Sequence, residues 1–215
     1  MFDFLSQLRD NNNREWFHRH KDAYETAKAR AEQLFRDVYT KIAEQDDVLP
    51  PKMFRIYRDV RFSKNKEPYK TCLSAAFMRR QPYNRGSFYI HIEPGASFIG
   101  AGFWGPVPAD VQRIRQALVY EDTLPGILAH KDIVKHFGAL QGEELKTAPK
   151  GFDKTHPRIG LIRKKQFYLT HPYTDQEVLS AGFSKDVAGK YKMLLPFFHY
   201  MTDVLITDGN GEYIV

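Results

Sequence analysis

Ser87-Phe88-Tyr89-Ile90-His91-Ile92-Glu93-Pro94-Gly95-Ala96-Ser97-Phe98-Ile99-Gly100-Ala101-Gly102-Phe103 is the stretch that decides the fold. On either side of Pro94-Gly95 the residues alternate between two faces. Proline presets φ and glycine accepts positive φ, so that pair marks a turn. The spacing predicts strands over 87–92 and 97–103 joined as an antiparallel hairpin. Thr71 to Met78 extends the same pattern toward the N-terminus, and a meander follows. Further upstream, Phe54, Ile56, Val60 and Phe62 alternate with Arg55, Tyr57, Asp59 and Arg61, which predicts another strand with Arg58 on its apolar side. A short strand is expected at Phe167 to Leu169.

Helical periodicity surrounds this sheet. Phe2 to Leu8 predicts a short helix halted by Asn11-Asn12-Asn13, residues suited to helix ends. Trp16, Phe17, His20, Tyr24, Ala27, Ala31, Leu34, Phe35, Val38 and Ile42 recur at helical spacing, predicting one amphipathic helix over 14–45 that stops before Pro50-Pro51. Val111, Ile114, Ala117 and Leu118 mark a helix after Pro108, and Leu124 to Phe137 another ended by Gly138. Thr174 and Glu177 form a capping box. Ser184 is the expected cap of a last long helix, kinked at Pro196, that turns Tyr191, Leu194, Leu195, Phe198, Met201 and Leu205 inward. No repeat or linker interrupts residues 1–215. The expectation is therefore one α+β domain, mainly an antiparallel meander packed on a long N-terminal helix and C-terminal helices.

Composition narrows the class. The 215 residues are 42% hydrophobic with 16 Phe and 12 Tyr, which is incompatible with a disordered chain. The single cysteine, Cys72, rules out an intrachain disulfide and a cysteine-rich zinc site. No apolar run approaches the ~18 residues of a membrane span, and the polar start lacks the marks of a signal peptide, so a cytoplasmic protein is expected. The formal net charge is +6. Residues 50–91 hold ten Lys and Arg against two acids, a net of +8, and residues 146–165 carry +6, so the rest of the chain carries −8. Such sorting points to an anionic partner, because focused positive potential concentrates anions. Tyr57, Tyr69, Tyr83 and Tyr89 interleave with the first block, the composition of a surface that stacks on bases while tracking phosphates.

Other motifs carry less. Gly100-Ala101-Gly102-Phe103-Trp104-Gly105 has the glycine spacing of a dinucleotide site, but Pro106 and Pro108 follow where a helix should open, so close backbone approach is the expected reason for these glycines. No P-loop is present. The His18/His20 and His130/His136 spacings do not suit metal ligation, and neither metal nor cofactor is expected. His91 and Glu93 share a strand face with Tyr89, a pattern open either to acid/base work or to an ordinary strand face. Asp59, between Arg58 and Arg61, is open to acid/base work or to orienting those arginines.

Three segments are long and unusual: Asn12-Asn13-Arg14-Glu15-Trp16-Phe17, the run from Phe54 to Thr71, and Pro149-Lys150-Gly151-Phe152-Asp153. Together they resemble the bacterial and fungal family known as domain of unknown function 2461. The resemblance implies a single domain and no assigned activity, cofactor or substrate.

Three functional readings stand at this point. The first is binding of a phosphate-bearing ligand, a nucleotide or nucleic acid, on a basic, aromatic-lined sheet face where both basic blocks converge. Arg55, Tyr57, Arg58, Arg61, Ser63, Lys64, Lys66, Tyr69, Lys70, Lys150 and Arg158 are its candidate residues. The second is an enzyme on a small phosphorylated or carboxylated substrate with Asp59 or His91/Glu93 as acid/base. The third is an interaction module for an acidic protein partner.

Overall fold

The structure, a computed structural model, describes residues 1–208 and 211–214. The hairpin predicted from residues 87–103 sits at the centre of a five-stranded antiparallel sheet, β1 (Lys52–Met53), β2 (Leu73–Met78), β3 (Ser87–Ile92), β4 (Ser97–Phe103) and β5 (Phe167–Tyr173), ordered β1-β2-β3-β4-β5. Leu73, Ala75 and Phe77 of β2 lie opposite Ile92, Ile90 and Phe88 of β3, so one apolar row crosses the pair, and all six side chains are buried. The register continues it through Ile99 and Ala101 of β4. The other face carries Ser74, Tyr89, His91, Phe98, Tyr168 and Thr170.

Ten helices complete the fold: α1 (Phe2–Asp10), α2 (Arg14–Arg19), α3 (Lys21–Ala43), α4 (Pro108–Tyr120), α5 (Thr123–Leu128), α6 (Lys131–Phe137), α7 (Ile159–Ile162), α8 (Asp175–Val178), α9 (Phe183–Met193) and α10 (Leu195–Ile206) among the described residues. The apolar sheet face packs on α9 and α10. Phe88 meets the rings of Tyr191 and Phe198 at centroid distances of 4.6 and 4.8 Å, and the Tyr191 hydroxyl donates to the Tyr89 carbonyl at 2.6 Å. The α+β class and antiparallel meander expected from the sequence are thus present, with the long N-terminal helix against the sheet.

Several boundaries differ, each for a local reason. The helix expected over 14–45 breaks at His20, whose ring stacks on Trp16 at 4.0 Å and whose Nδ1 donates to the Trp16 carbonyl at 2.8 Å, closing α2 before α3 starts. The 124–137 piece is two helices, because His130 leaves the helical conformation and its ring accepts from the Asp132 amide, capping α6. The last helix begins at Phe183 rather than after Ser184, and it breaks at Leu194 instead of kinking. Pro196 falls in the first turn of α10, where a missing amide proton costs nothing.

The largest departure is residues 54–62. Only Lys52–Met53 pair as a strand; beyond them a ribbon continues, with the Phe54 amide donating to Ser74 O, Lys70 to Ile56 O and Arg58 to Pro68 O, at 2.8–2.9 Å. Ile56 is buried as the alternation required, but Phe62 is 97% exposed. The ribbon ends at Asp59, whose carboxylate accepts the Arg61 amide and turns the chain, and Pro68 opposite has no amide to continue the pairing.

Gly102 shows why a glycine stands in β4. Its φ is +142°, and a Cβ there would lie 2.2 Å from the Phe167 carbonyl oxygen. Gly95, at φ +76° with open space around it, carries only backbone strain. Gly102→Ala should therefore cost about 2–5 kcal/mol against about 1 kcal/mol for Gly95→Ala, read from urea unfolding midpoints. Asp46→Ala, which strips the carboxylate from the buried Arg79 guanidinium, should cost about 3–5 kcal/mol in the same measurement.

Candidate functional site

Two of the three unusual segments meet in space. Asn13 caps α2 by accepting the Trp16 amide at 2.9 Å. Asn12, one residue earlier, reaches across to the ribbon: its Nδ2 donates to the Tyr69 carbonyl at 3.0 Å and its Oδ1 accepts the Tyr69 amide at 3.1 Å. One side-chain amide thus replaces a strand neighbour for Tyr69. Phe17 completes the junction, lying parallel to the Tyr69 ring at 4.0 Å, with Tyr57 6.0 Å from Phe17 and 5.4 Å from Tyr69.

Between α2, the start of α3 and the ribbon lies an open cleft of about 630 Å³. Phe17, Tyr57 and Tyr69 supply its apolar wall, and Arg14, His18, Lys21 and Arg58 approach it together with Glu15. Arg58 is held by Glu67 at 3.3 Å and Glu15 faces Arg19 at 3.4 Å. Arg14, His18 and Lys21 make no side-chain hydrogen bond or ion pair among the described residues, and all three are exposed. They lie outside both basic blocks, which is why counting charge by segment misses them. Their i, i+4 and i+7 spacing would share one face of the continuous helix expected over 14–45, which is the signal the sequence offers; in the structure Arg14 and His18 lie on α2 and Lys21 opens α3.

The candidate residues read from the sequence are distributed unevenly. Tyr57, Arg58 and Tyr69 line the cleft. Arg61 is bound by Asp59 through two contacts of 3.0 and 2.7 Å, and this guanidinium holds the exposed Asp59 carboxyl below its usual range, so the pair forms a turn. Lys66 donates to the Val60 carbonyl at 3.0 Å, and Lys70 places its ammonium 5.7 Å over the Phe54 ring on the sheet side. Arg55 and Lys64 are exposed, and Ser63 is half-buried in the same loop.

The first basic block runs from the β1 edge into β3, and the second precedes β5 at the far edge of the sheet. No hydrogen bond, ion pair or ring contact joins them among the described residues. Arg158 instead closes the C-terminus of α4, donating to the Leu118 and Val119 carbonyls at 2.6 and 2.8 Å and pairing with Asp122. Lys150 is exposed beside buried Pro149, far in connectivity from the cleft. Arg79, Arg80, Arg85, Arg163 and Lys165 are paired with Asp46, Asp47, Asp110, Glu144 and Glu143, acids from outside the blocks. Folding cancels much of the charge that the sequence segregates.

The strand face holds a directional chain of hydrogen bonds. Thr71 donates to Glu93, whose other oxygen lies 2.9 Å from His91 Nε2; with the ring proton on Nε2, Nδ1 accepts the Tyr89 hydroxyl at 3.1 Å. His91 stacks on Phe98 at 4.7 Å, which fixes its plane. Burial pushes the Tyr89 phenol up, against the pull of the Ser74 hydroxyl. Burial also pushes the nearby Cys72 thiol up to about 11, with the Glu93 charge adding to it, so Cys72 stays protonated at neutral pH. No group of three His, Cys, Asp or Glu side chains suits a metal ion among the described residues.

Two measurements check this geometry. Asn12→Ala should lower stability by about 1–3 kcal/mol and speed tryptic cleavage between residues 61 and 66, because two backbone groups of Tyr69 lose their partner. The Cys72 thiol should react with iodoacetamide at pH 8 roughly 100-fold more slowly than an exposed thiol, since raising the pKa removes thiolate.

No curated protein and no solved structure matches the chain. A family model described as "Conserved hypothetical protein (DUF2461)" matches residues 1–200, a span that contains both halves of the cleft, the sheet and all three unusual segments. The chain belongs to that family.

Proposed function

We propose that the cleft between α2 and the ribbon binds a phosphate-bearing ligand with a ring that stacks, a nucleotide or a piece of nucleic acid. The observation that carries this reading is the presence of three uncommitted side chains, Arg14, His18 and Lys21, around the exposed ring of Tyr57. Unpaired cations side by side repel one another, and an anion between them relieves that repulsion. Arg14 and Arg58 offer planar forks for phosphate oxygens, and Lys21 a point charge. Tyr57 leaves a face for a base or sugar. An acidic protein segment would satisfy the charges but would leave that ring unused.

A second reading has its own observation, the Thr71–Glu93–His91–Tyr89 chain. There the carboxylate orients the imidazole, and the imidazole can take the phenol proton while a ligand proton passes to the Tyr89 oxygen. Such a site would act on a small phosphorylated or carboxylated molecule.

Thermal-shift and calorimetric titration with dTMP, UMP and inorganic phosphate test the first reading. A nucleotide at ~100 times its Kd should stabilise the fold by about 2.7 kcal/mol. Arg14→Ala and Lys21→Ala should each raise that Kd by roughly 10-fold or more. Absence of any shift with the unsubstituted protein would defeat it. For the second reading, Tyr89→Phe and Glu93→Gln should keep nucleotide binding and abolish turnover detected by phosphorus NMR. Intact substrate after prolonged incubation of the unsubstituted protein with a panel of nucleotides, small phosphate esters and small carboxylates, followed by phosphorus and proton NMR, removes that reading.

A further inference from the structure

Phe62 is 97% exposed, more than any other large apolar side chain among the described residues. A flexible loop would let such a ring fold back onto the apolar surface. This loop is instead braced. Asp59 accepts the Arg61 amide at 3.2 Å, Asn65 accepts the Glu67 amide at 2.9 Å, and Lys66 spans the loop to Val60 O. Arg58 and Glu67 tie its two ends. On this braced loop the Phe62 ring lies out in water, with the Arg61 guanidinium 6.0 Å from its centroid.

The position of this ring relates it to the cleft. Val60 lines the cleft and Phe62 is two residues further along, within about 7 Å of chain. Tyr57, another exposed ring, lies in the ribbon five residues before Phe62, within about 18 Å. Two exposed rings flanked by Arg14, Lys21, Arg58 and Lys64 exceed what one nucleotide can use, since it has a single base. A strand of several nucleotides can use both, because each repeat brings one base and one phosphate.

Resting on the reading of the cleft as a phosphate site, we propose that its ligand is single-stranded nucleic acid and that Phe62 stacks on a base outside the cleft. The alternative of an anionic membrane fits less well. One ring without an apolar neighbour is a weak anchor.

The test is fluorescence anisotropy with a labelled dT oligonucleotide of about 12 nucleotides, within the ordinary site size of such binders. It is competed by dTMP and repeated at low and moderate salt. The oligonucleotide should bind more tightly than dTMP and weaken with salt as several phosphates release counterions. Phe62→Ala should weaken oligonucleotide binding roughly 5- to 100-fold and leave the dTMP affinity unchanged, whereas Arg14→Ala should weaken both. The Phe62 ring packs against almost nothing, so its removal does not threaten the fold.

Equal affinities for oligonucleotide and dTMP, or no effect of Phe62→Ala, would overturn the inference while the cleft reading stands. Binding of neither would sink both. Capture by phosphatidylserine vesicles, lost in Phe62→Ala, with no oligonucleotide binding would place the ring at a membrane and overturn the inference as well.

Discussion

The guanidinium of Arg79 is the constraint on which the arrangement of the rest depends. It follows directly on β2 and its side chain is 1% exposed, so its charge has almost no water to stabilise it. All five of its N–H groups find acceptors: two oxygens of Asp46 at 2.6 and 3.0 Å, the Arg85 carbonyl at 2.9 Å, Thr202 Oγ1 at 3.0 Å and Asn84 Oδ1 at 3.3 Å. The Phe198 ring covers it at 4.9 Å. Those partners come from the segment after α3, the β2–β3 connection and α10. A buried cation tolerates no loose geometry, because each unmet donor leaves an uncompensated charge in an apolar surrounding. The far end of α3 is thereby set against the sheet and α10.

From that anchor the chain runs back along α3 to α2, and there the site is assembled by a different principle. Polar amides and flat rings replace ion pairs. Asn12 bridges both backbone groups of Tyr69, and Phe17 lies on its ring, so the ribbon and α2 are fastened through uncharged contacts. Arg14 and Lys21 remain unspent for that reason. Had both been needed to hold the ribbon, neither would be left for an anion. The arginines spent on structure lie elsewhere, at the ends of β2 and α4, where they neutralise buried carboxylates and helix carbonyls.

The candidate site was partly legible from sequence. Tyr57, Arg58 and Tyr69 are legible because rings and cations interleave in one segment. Arg14, His18 and Lys21 are not, because Glu15 and Asp22 balance the charge of their segment and a count shows nothing; their meaning comes from their position beside the ribbon. Conversely, Arg158 belongs to a basic block, and its guanidinium bonds the last carbonyls of α4. Charge density along a chain measures supply, while pairing is a matter of distance, and Asp46, Asp47, Asp110 and Asp122 reach their arginines from 25 to 36 residues away in sequence.

By itself the sequence determined the meander, the apolar faces of its strands, the caps at Asn13 and Thr174 and the close approach at Gly102. Each of these rests on local periodicity, or on a residue type with a single conformational use. Only the tertiary structure decided where the ribbon of residues 54–62 stops pairing, where the helices break at His20 and His130, and which cations stay free. Those outcomes depend on a partner many residues distant: a Tyr69 backbone that Asn12 can reach, a Pro68 opposite Arg58, an aspartate beside each buried guanidinium. Spacing along a chain carries no record of such distances.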